Sequence, residues 1–150
     1  MRIVSTAQLV GDTTAVARQE KLLTDPDRAV RYWAAVGLAA AEQRSESVID
    51  ALKTALDDVA SEVSIEAATA LVSQGSSGRA LDVLKEHLVS EQVESVLHAM
   101  RALELLGPAA KSAVPQIRRV RQRAAIAETS DGAHPCWMFI RFSAEAALSN

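Results

Sequence analysis

The feature that most constrains this chain is a short pattern that returns at a nearly fixed interval. Residues 31–38 (RYWAAVGL) recur without gaps at 64–71 (SIEAATAL), 96–103 (VLHAMRAL) and 141–148 (RFSAEAAL). The closing leucines Leu38, Leu71, Leu103 and Leu148 therefore stand 33, 32 and 45 residues apart. Self-similarity at such a period marks a repeat architecture. A second register agrees with the first: Val16, Ile49 and Leu81 lie 22 residues before their closing leucine, and Leu23, Leu56 and Leu88 lie 15 before. Two apolar clusters per period predict two amphipathic helices per unit. One such pair cannot bury its apolar face alone, so pairs must stack side by side. The expectation is an all-α fold, an α-α superhelix of about four helix pairs.

Composition fits that reading. Apolar residues make up 49% of the 150, but aromatics only 3%, so the interior must be built from Ala, Leu, Val and Ile at close helix spacing. Asp25, Asp58 and Ser90, each 13 residues before a closing leucine, are expected to cap the second helix of their pairs by accepting a bond from its free amides. Pro26 is placed at the first helical position, where a missing N–H costs nothing. Gly37 or a residue beyond it, Gly75 and Gly107-Pro108 are the expected stops. The fourth unit is longer by about a dozen residues, and the excess falls at 127–135, whose Thr-Ser-Asp-Gly-Ala-His-Pro run reads as a loop. Residues 1–12 fit no unit and are read as a lead-in segment; residues 13–150 are read as the repeat domain.

The formal charge of −3 and pI near 5.6 give no overall pull toward nucleic acid or an anionic membrane, and neither is expected as a partner. No run of about 18 apolar residues exists and the start lacks the apolar stretch of a signal peptide, so the chain by itself reads as soluble. An excised domain would also lack its parent's signal. Cys136 is alone, which excludes an intramolecular disulfide and a four-cysteine zinc site.

The spacing, the Asp-Pro before the second helix and the Val-Arg…Ala-Ala…Leu core resemble HEAT repeats and the related bilin-lyase-type repeats over residues 13 to 148, a likeness that implies fold more than function. The segment from Asp25 to Leu38, with Asp25-Pro26-Asp27-Arg28-Ala29-Val30-Arg31-Tyr32-Trp33 at its head, resembles the repeat segment found C-terminal to the catalytic domain in some bacterial sulfatases. That resemblance implies a parent that hydrolyses sulfate esters or sulfamates, exported or periplasmic, with a formylglycine made in a Cys/Ser-x-Pro-x-Arg motif beside a metal. Cys136 is followed by Trp137, Met138, Phe139 and Ile140, without the Pro and Arg, so no catalytic residue carries over to this chain.

Candidate sites are few. His87, His98 and His134 are scattered, and only the reversed Glu86-His87 resembles the His-Glu pairs of di-iron enzymes built on such repeats. Neither a metal nor a cofactor is expected, and Cys136 reads as a small hydrophobe of the last helix. Lys111, Arg118, Arg119 and Arg123 fall on one arc of a helical wheel, opposite Ala113, Val114, Ile117, Val120 and Ala124. Their bland reading is a solvated face; the functional one is an anion site for sulfated glycan, phosphate or an acidic partner. No interleaved aromatics support base stacking.

Trp33 is more telling, because its counterparts Glu66, His98 and Ser143 are polar. The ridge it belongs to reads Glu62-Glu66-Thr69-Ser73 and Glu94-His98-Arg101-Leu105 in units two and three, but Ala29-Trp33-Val36-Ala40 in unit one. An apolar ridge on a terminal unit needs a cover: an upstream domain, a second copy of the chain through weak self-association, or the lead-in residues Ile3, Val4, Leu9 and Val10. Two function classes follow. One is a non-catalytic accessory module packed on an upstream catalytic domain, implied by resemblance to be a sulfatase's. The other is a free-standing protein-protein interaction scaffold. An enzyme built on the repeats themselves would need an active site that these residues do not compose.

Overall fold

Small side chains on the second helix of each pair let neighbouring helices approach closely. A computed structural model describes residues 2–8, 15–41 and 45–149. Its elements are α1 (Arg2–Ala7), α2 (Val16–Leu22), α3 (Arg28–Ala40), α4 (Glu46–Ala55), α5 (Ser61–Ser73), α6 (Gly78–His87), α7 (Val93–Leu106), a 3-10 turn (Gly107–Ala113), α8 (Val114–Ala127) and α9 (Cys136–Ser149). Every regular element among the described residues is helical, and the all-α repeat fold expected from the register is the one the chain adopts. Two compact bodies, Met1–Ala80 and Leu81–Asn150, divide it.

In the first body α2 packs on α3 and α4 on α5, so the first two expected pairs form, and α3 lies against α5. Val30, Ala34, Ala35 and Leu38 of α3 are wholly buried, as are Val63, Ile65, Ala67 and Ala68 of α5. Their spacing covers more than one stripe of each helix, as a helix with neighbours on two sides requires. In the second body α8 pairs with α9, and α9 lies against α7. Its core holds Val96, Ala99, Met100, Leu103, Ile117, Ala124, Ile140 and Ala144, with Trp137 buried at its edge. The long connection of the fourth pair is a loop over residues 128–135 that turns at Gly132, φ 72°.

The helix starts differ from expectation by two residues. Asp25, Asp58 and Ser90 are not N-caps. Each accepts the backbone amide two residues on, from Asp27, Ala60 and Gln92 at 2.9, 2.9 and 3.1 Å, respectively, which is the geometry of an Asx- or Ser-turn leading into a helix. The residues at the cap positions are Asp27, Ala60 and Gln92, and of these Asp27 caps with its side chain, accepting from the Ala29 amide. Pro26 accordingly precedes the cap of α3 instead of opening the helix. The same short acceptor side chains serve either role, and spacing alone does not separate them.

The stop of α3 falls beyond Gly37, at Ala40. Gly37 sits inside α3 and is fully enclosed, and a Cβ built on it would collide with the side-chain amide of Gln19 on α2, itself wholly buried. The glycine is a close-approach residue between α2 and α3. Gly75, at φ 86°, and Gly107, at φ 50°, do stand just past the ends of α5 and α7.

Ion pairs join the first two repeats, an exposed one between Arg28 and Glu62 at 3.5 Å and an enclosed one between Arg31 and Asp58. Arg31 on α3 donates from Nε to Asp58 Oδ2 at 2.6 Å and from a terminal nitrogen to Asp58 Oδ1 at 2.9 Å, a bidentate fork. Its other terminal nitrogen donates to the Asp25 carbonyl at 2.8 Å. Burial works against the Asp58 carboxylate, but the Arg31 hydrogen bonds, the Ala60 amide and the Arg31 charge outweigh it and hold its pKa below the ordinary value.

The lead-in carries α1, which packs against α3. The proposed boundary between residues 12 and 13 lies outside the described residues, as do Leu9, Val10 and the side chain of Val4.

Candidate functional site

α7 and α9 run side by side, and a groove of about 680 Å³ opens between them. Glu94, Leu97, His98, Arg101 and Glu104 line it from α7, and Phe139, Phe142, Ser143 and Ala146 from α9. The register explains this set. Glu94, His98 and Arg101 are the outward ridge of unit three, and the same spacing counted from Ser143 falls on Phe139 and Ala146. The groove is the furrow between two equivalent ridges. Sequence reading stopped at Ser143 and missed Phe139, although the arithmetic that singled out Trp33 would have reached it.

Both phenylalanines of the chain stand on this helix and are about half exposed, Phe139 at 52% and Phe142 at 49%. The groove rim is polar. Arg101 bonds Glu104 Oε1, while Glu104 Oε2 is buried without a hydrogen-bond partner. Glu94 Oε1 lies 3.3 Å from His134 Nε2, and His134 Nδ1 accepts from the Cys136 amide at 3.3 Å. The contact with Glu94 ties the 128–135 loop to α7.

The arginine arc is rearranged. Lys111 lies on the 3-10 turn, not on α8, so a wheel drawn at 100° per residue does not connect it to Arg118, Arg119 and Arg123. The break comes at Val114, with Pro115 in the first turn of α8. Arg123 is already engaged: its guanidinium stacks 4.7 Å above the Trp137 ring and donates to the Ser90 carbonyl at 3.3 Å. Arg118 and Arg119 instead share a second groove, of about 890 Å³, with Arg121, Gln122 and Ala125 of α8 and with Arg141, Glu145 and Leu148 of α9. Arg121 joins Arg118 by i,i+3 spacing on α8, and Arg141 is the addition that only the packing of α9 on α8 supplies.

On the first-unit ridge, Ala29, Trp33 and Val36 are half-buried and Ala40 is exposed. Glu62, Glu66, Thr69 and Ser73 on α5 show the same gradation, so the ridge positions are equivalent in burial as well as in register. The Trp33 ring meets the Tyr32 ring edge to face, centroids 5.3 Å apart.

Among the described residues no three His, Cys, Asp or Glu side chains converge where a metal could sit. His87 is half-buried, and burial pushes its pKa down, opposed by Glu86 and reinforced by His98. Cys136 is half-buried at the first position of α9. Among the described residues no helix is long and apolar enough to cross a membrane.

Compared with known proteins, the chain finds no match among curated ones. A family model described as HEAT repeats matches residues 16–104, from the start of α2 almost to the end of α7. That match spans more than half of the chain and follows the 33-residue register that pairs α2 with α3 and α4 with α5: the chain belongs to the HEAT repeat family.

Proposed function

We propose that this chain is a protein-interaction scaffold, and that its docking surface is the α7/α9 groove. The carrying observation is that the chain's only two phenylalanines flank that groove half exposed beside a carboxylate oxygen, Glu104 Oε2, that has no hydrogen-bond partner. The occupant that fits is an amphipathic helical segment of a partner protein, with aliphatic anchors on one face and a lysine or arginine in reach of Glu104 and Glu94. A helix laid in a groove is a recurring recognition mode, and the stretch from Glu94 to Glu104 offers about 15 Å, roughly three helical turns, at 1.5 Å per residue. Burying the exposed half of each phenylalanine contributes about 1 kcal/mol, roughly half of what full burial is worth.

The narrower reading, an accessory module packed on a sulfatase catalytic domain, rests on the resemblance of residues 25–38. Within that segment Asp25 makes a turn, Asp27 a cap and Arg31 the link to Asp58, so these residues have structural duties that require no sulfatase partner. The upstream reading frame decides it, since a Cys/Ser-x-Pro-x-Arg motif there would restore that partner.

The test of the groove uses a labelled 14-residue Leu/Lys amphipathic peptide and the full chain, followed by fluorescence anisotropy. Micromolar binding is expected, weakened at least about tenfold in Phe139→Ser/Phe142→Ser with its helical circular dichroism retained, and absent for a Leu/Glu peptide of the same pattern. Unaltered binding by that variant, or none by the parent chain, overturns the assignment. So does a dimer in light scattering that the double variant abolishes, which would make the occupant a second copy.

A further inference from the structure

We propose that the α8/α9 groove is a second docking surface, for an acidic peptide segment in which carboxylates alternate with apolar side chains. It shares no residue with the α7/α9 groove, and its chemistry is the opposite. Arg118, Arg119 and Arg121 are all exposed there, and none makes an ion pair or side-chain hydrogen bond among the described residues. Arg141 faces them from α9, held at 2.7 Å by Glu128 and at 2.9 Å by Glu145. Arg118, Arg119 and Arg121, with the ion-paired Arg141 across from them, make a local positive patch on a chain whose net charge is −3. Guanidinium forks match the planar geometry of carboxylates.

The other linings select among anions. Glu145 projects into the same groove, with Leu148 and Ala125 beside it. A uniformly charged polymer such as a sulfated glycan would meet Glu145 with a negative group in every register. A peptide can set an apolar side chain against Leu148 and Ala125 there and keep its carboxylates for the arginines. No aromatic side chain lines the groove, so it lacks the stacking platform on which single-stranded nucleic acid depends.

Lys111 and Arg123, which the helical wheel had placed with Arg118 and Arg119, take no part. One belongs to the 3-10 turn and the other is committed to Trp137 and Ser90.

The experiment titrates the full chain into a labelled peptide with Asp or Glu at alternate positions and Leu between them, in low and in high salt. Binding is expected at low salt and should decline as salt screens the exposed charges. Arg118→Ser/Arg121→Ser should weaken it roughly tenfold. Lys111→Ser should change it less than about twofold, and Phe139→Ser, which leaves the Phe142 ring in place beneath Arg141, should bind it normally. Intact binding in the arginine double variant overturns the proposal, as does a failure of the peptide to bind at low salt. Heparin bound more tightly than the peptide also overturns it and makes the groove a glycan site. Because the Leu/Lys and acidic peptides report on separate grooves, loss of one reading leaves the other measurable.

Discussion

Asp25 and Asp58 occupy the same position in successive repeats, and one guanidinium holds both: Arg31 donates to the Asp25 carbonyl at 2.8 Å and to the two Asp58 carboxylate oxygens at 2.6 and 2.9 Å. The link is nearly enclosed, with the Arg31 and Asp58 side chains 13% and 9% exposed. It spans the junction between the first and second pairs, and the repeat that follows has no copy of it, because the counterparts of Arg31 and Asp58 there are Ser64 and Ser90.

Removing one member of such a pair leaves the other charged and desolvated. Asp58→Ala is expected to destabilise the chain by on the order of 3 kcal/mol, read from urea unfolding, whereas the double variant Arg31→Met/Asp58→Leu should lose less than the two single changes summed. Additive losses would show that the two side chains do not act as a pair. The pH dependence has a fixed sign. Asp58 titrates below its ordinary value in the folded state, so its contribution is present above the unfolded carboxylate pKa and is lost as pH falls through the lower folded one. The acid limb of the stability profile should therefore flatten in Asp58→Asn.

Gly37→Ala tests the close approach of α2 and α3. A methyl group there displaces the buried Gln19 amide. Overpacking costs about 1–3 kcal/mol, and the gain in helix propensity returns about 1, so a net loss in thermal stability is expected. Adding Gln19→Ala should cost less than additively, as the clash disappears. A more stable single variant would mean that the two helices separate easily.

Tyr32 is the chain's one tyrosine, so phenolate absorbance reports on it alone. Burial first, then the charges of Glu66 and Glu62, raise its pKa above the ordinary value. Stability from the neutral phenol is present below the unfolded pKa and lost as pH rises toward the folded one. Glu66→Gln should move the titration down without changing helical content. A midpoint that stays in place would remove Glu66 from the surroundings of the ring.

Trp33→Glu is expected to keep the helical circular dichroism, since Glu66 fills the equivalent ridge position at a similar half-burial. Losing the half-buried indole and its edge contact with Tyr32 should cost about 1–2 kcal/mol. Global unfolding would assign Trp33 to the core.

Period and helix pairing were legible in the sequence because they depend on apolar positions recurring within one helix, a local property that a register of leucines records directly. The equivalence of ridge positions was legible for the same reason, and pursued one unit further it reaches Phe139. The turn chemistry of Asp25, Asp58 and Ser90 was seen in the right place but in the wrong role, since a short acceptor bonds an amide two residues on in either geometry. What tertiary structure alone decided is which side chains of different helices meet. Arg31 and Asp58 lie 27 residues apart, and nothing local ties them. Arg141 joins Arg118 and Arg121, and Lys111 leaves them, because the 3-10 turn gives way to α8 at Val114 and α9 packs on α8 with Trp137, Ile140 and Ala144 in the core. A wheel describes one helix. A groove is made by two, and its chemistry follows from the angle at which buried side chains lock them together.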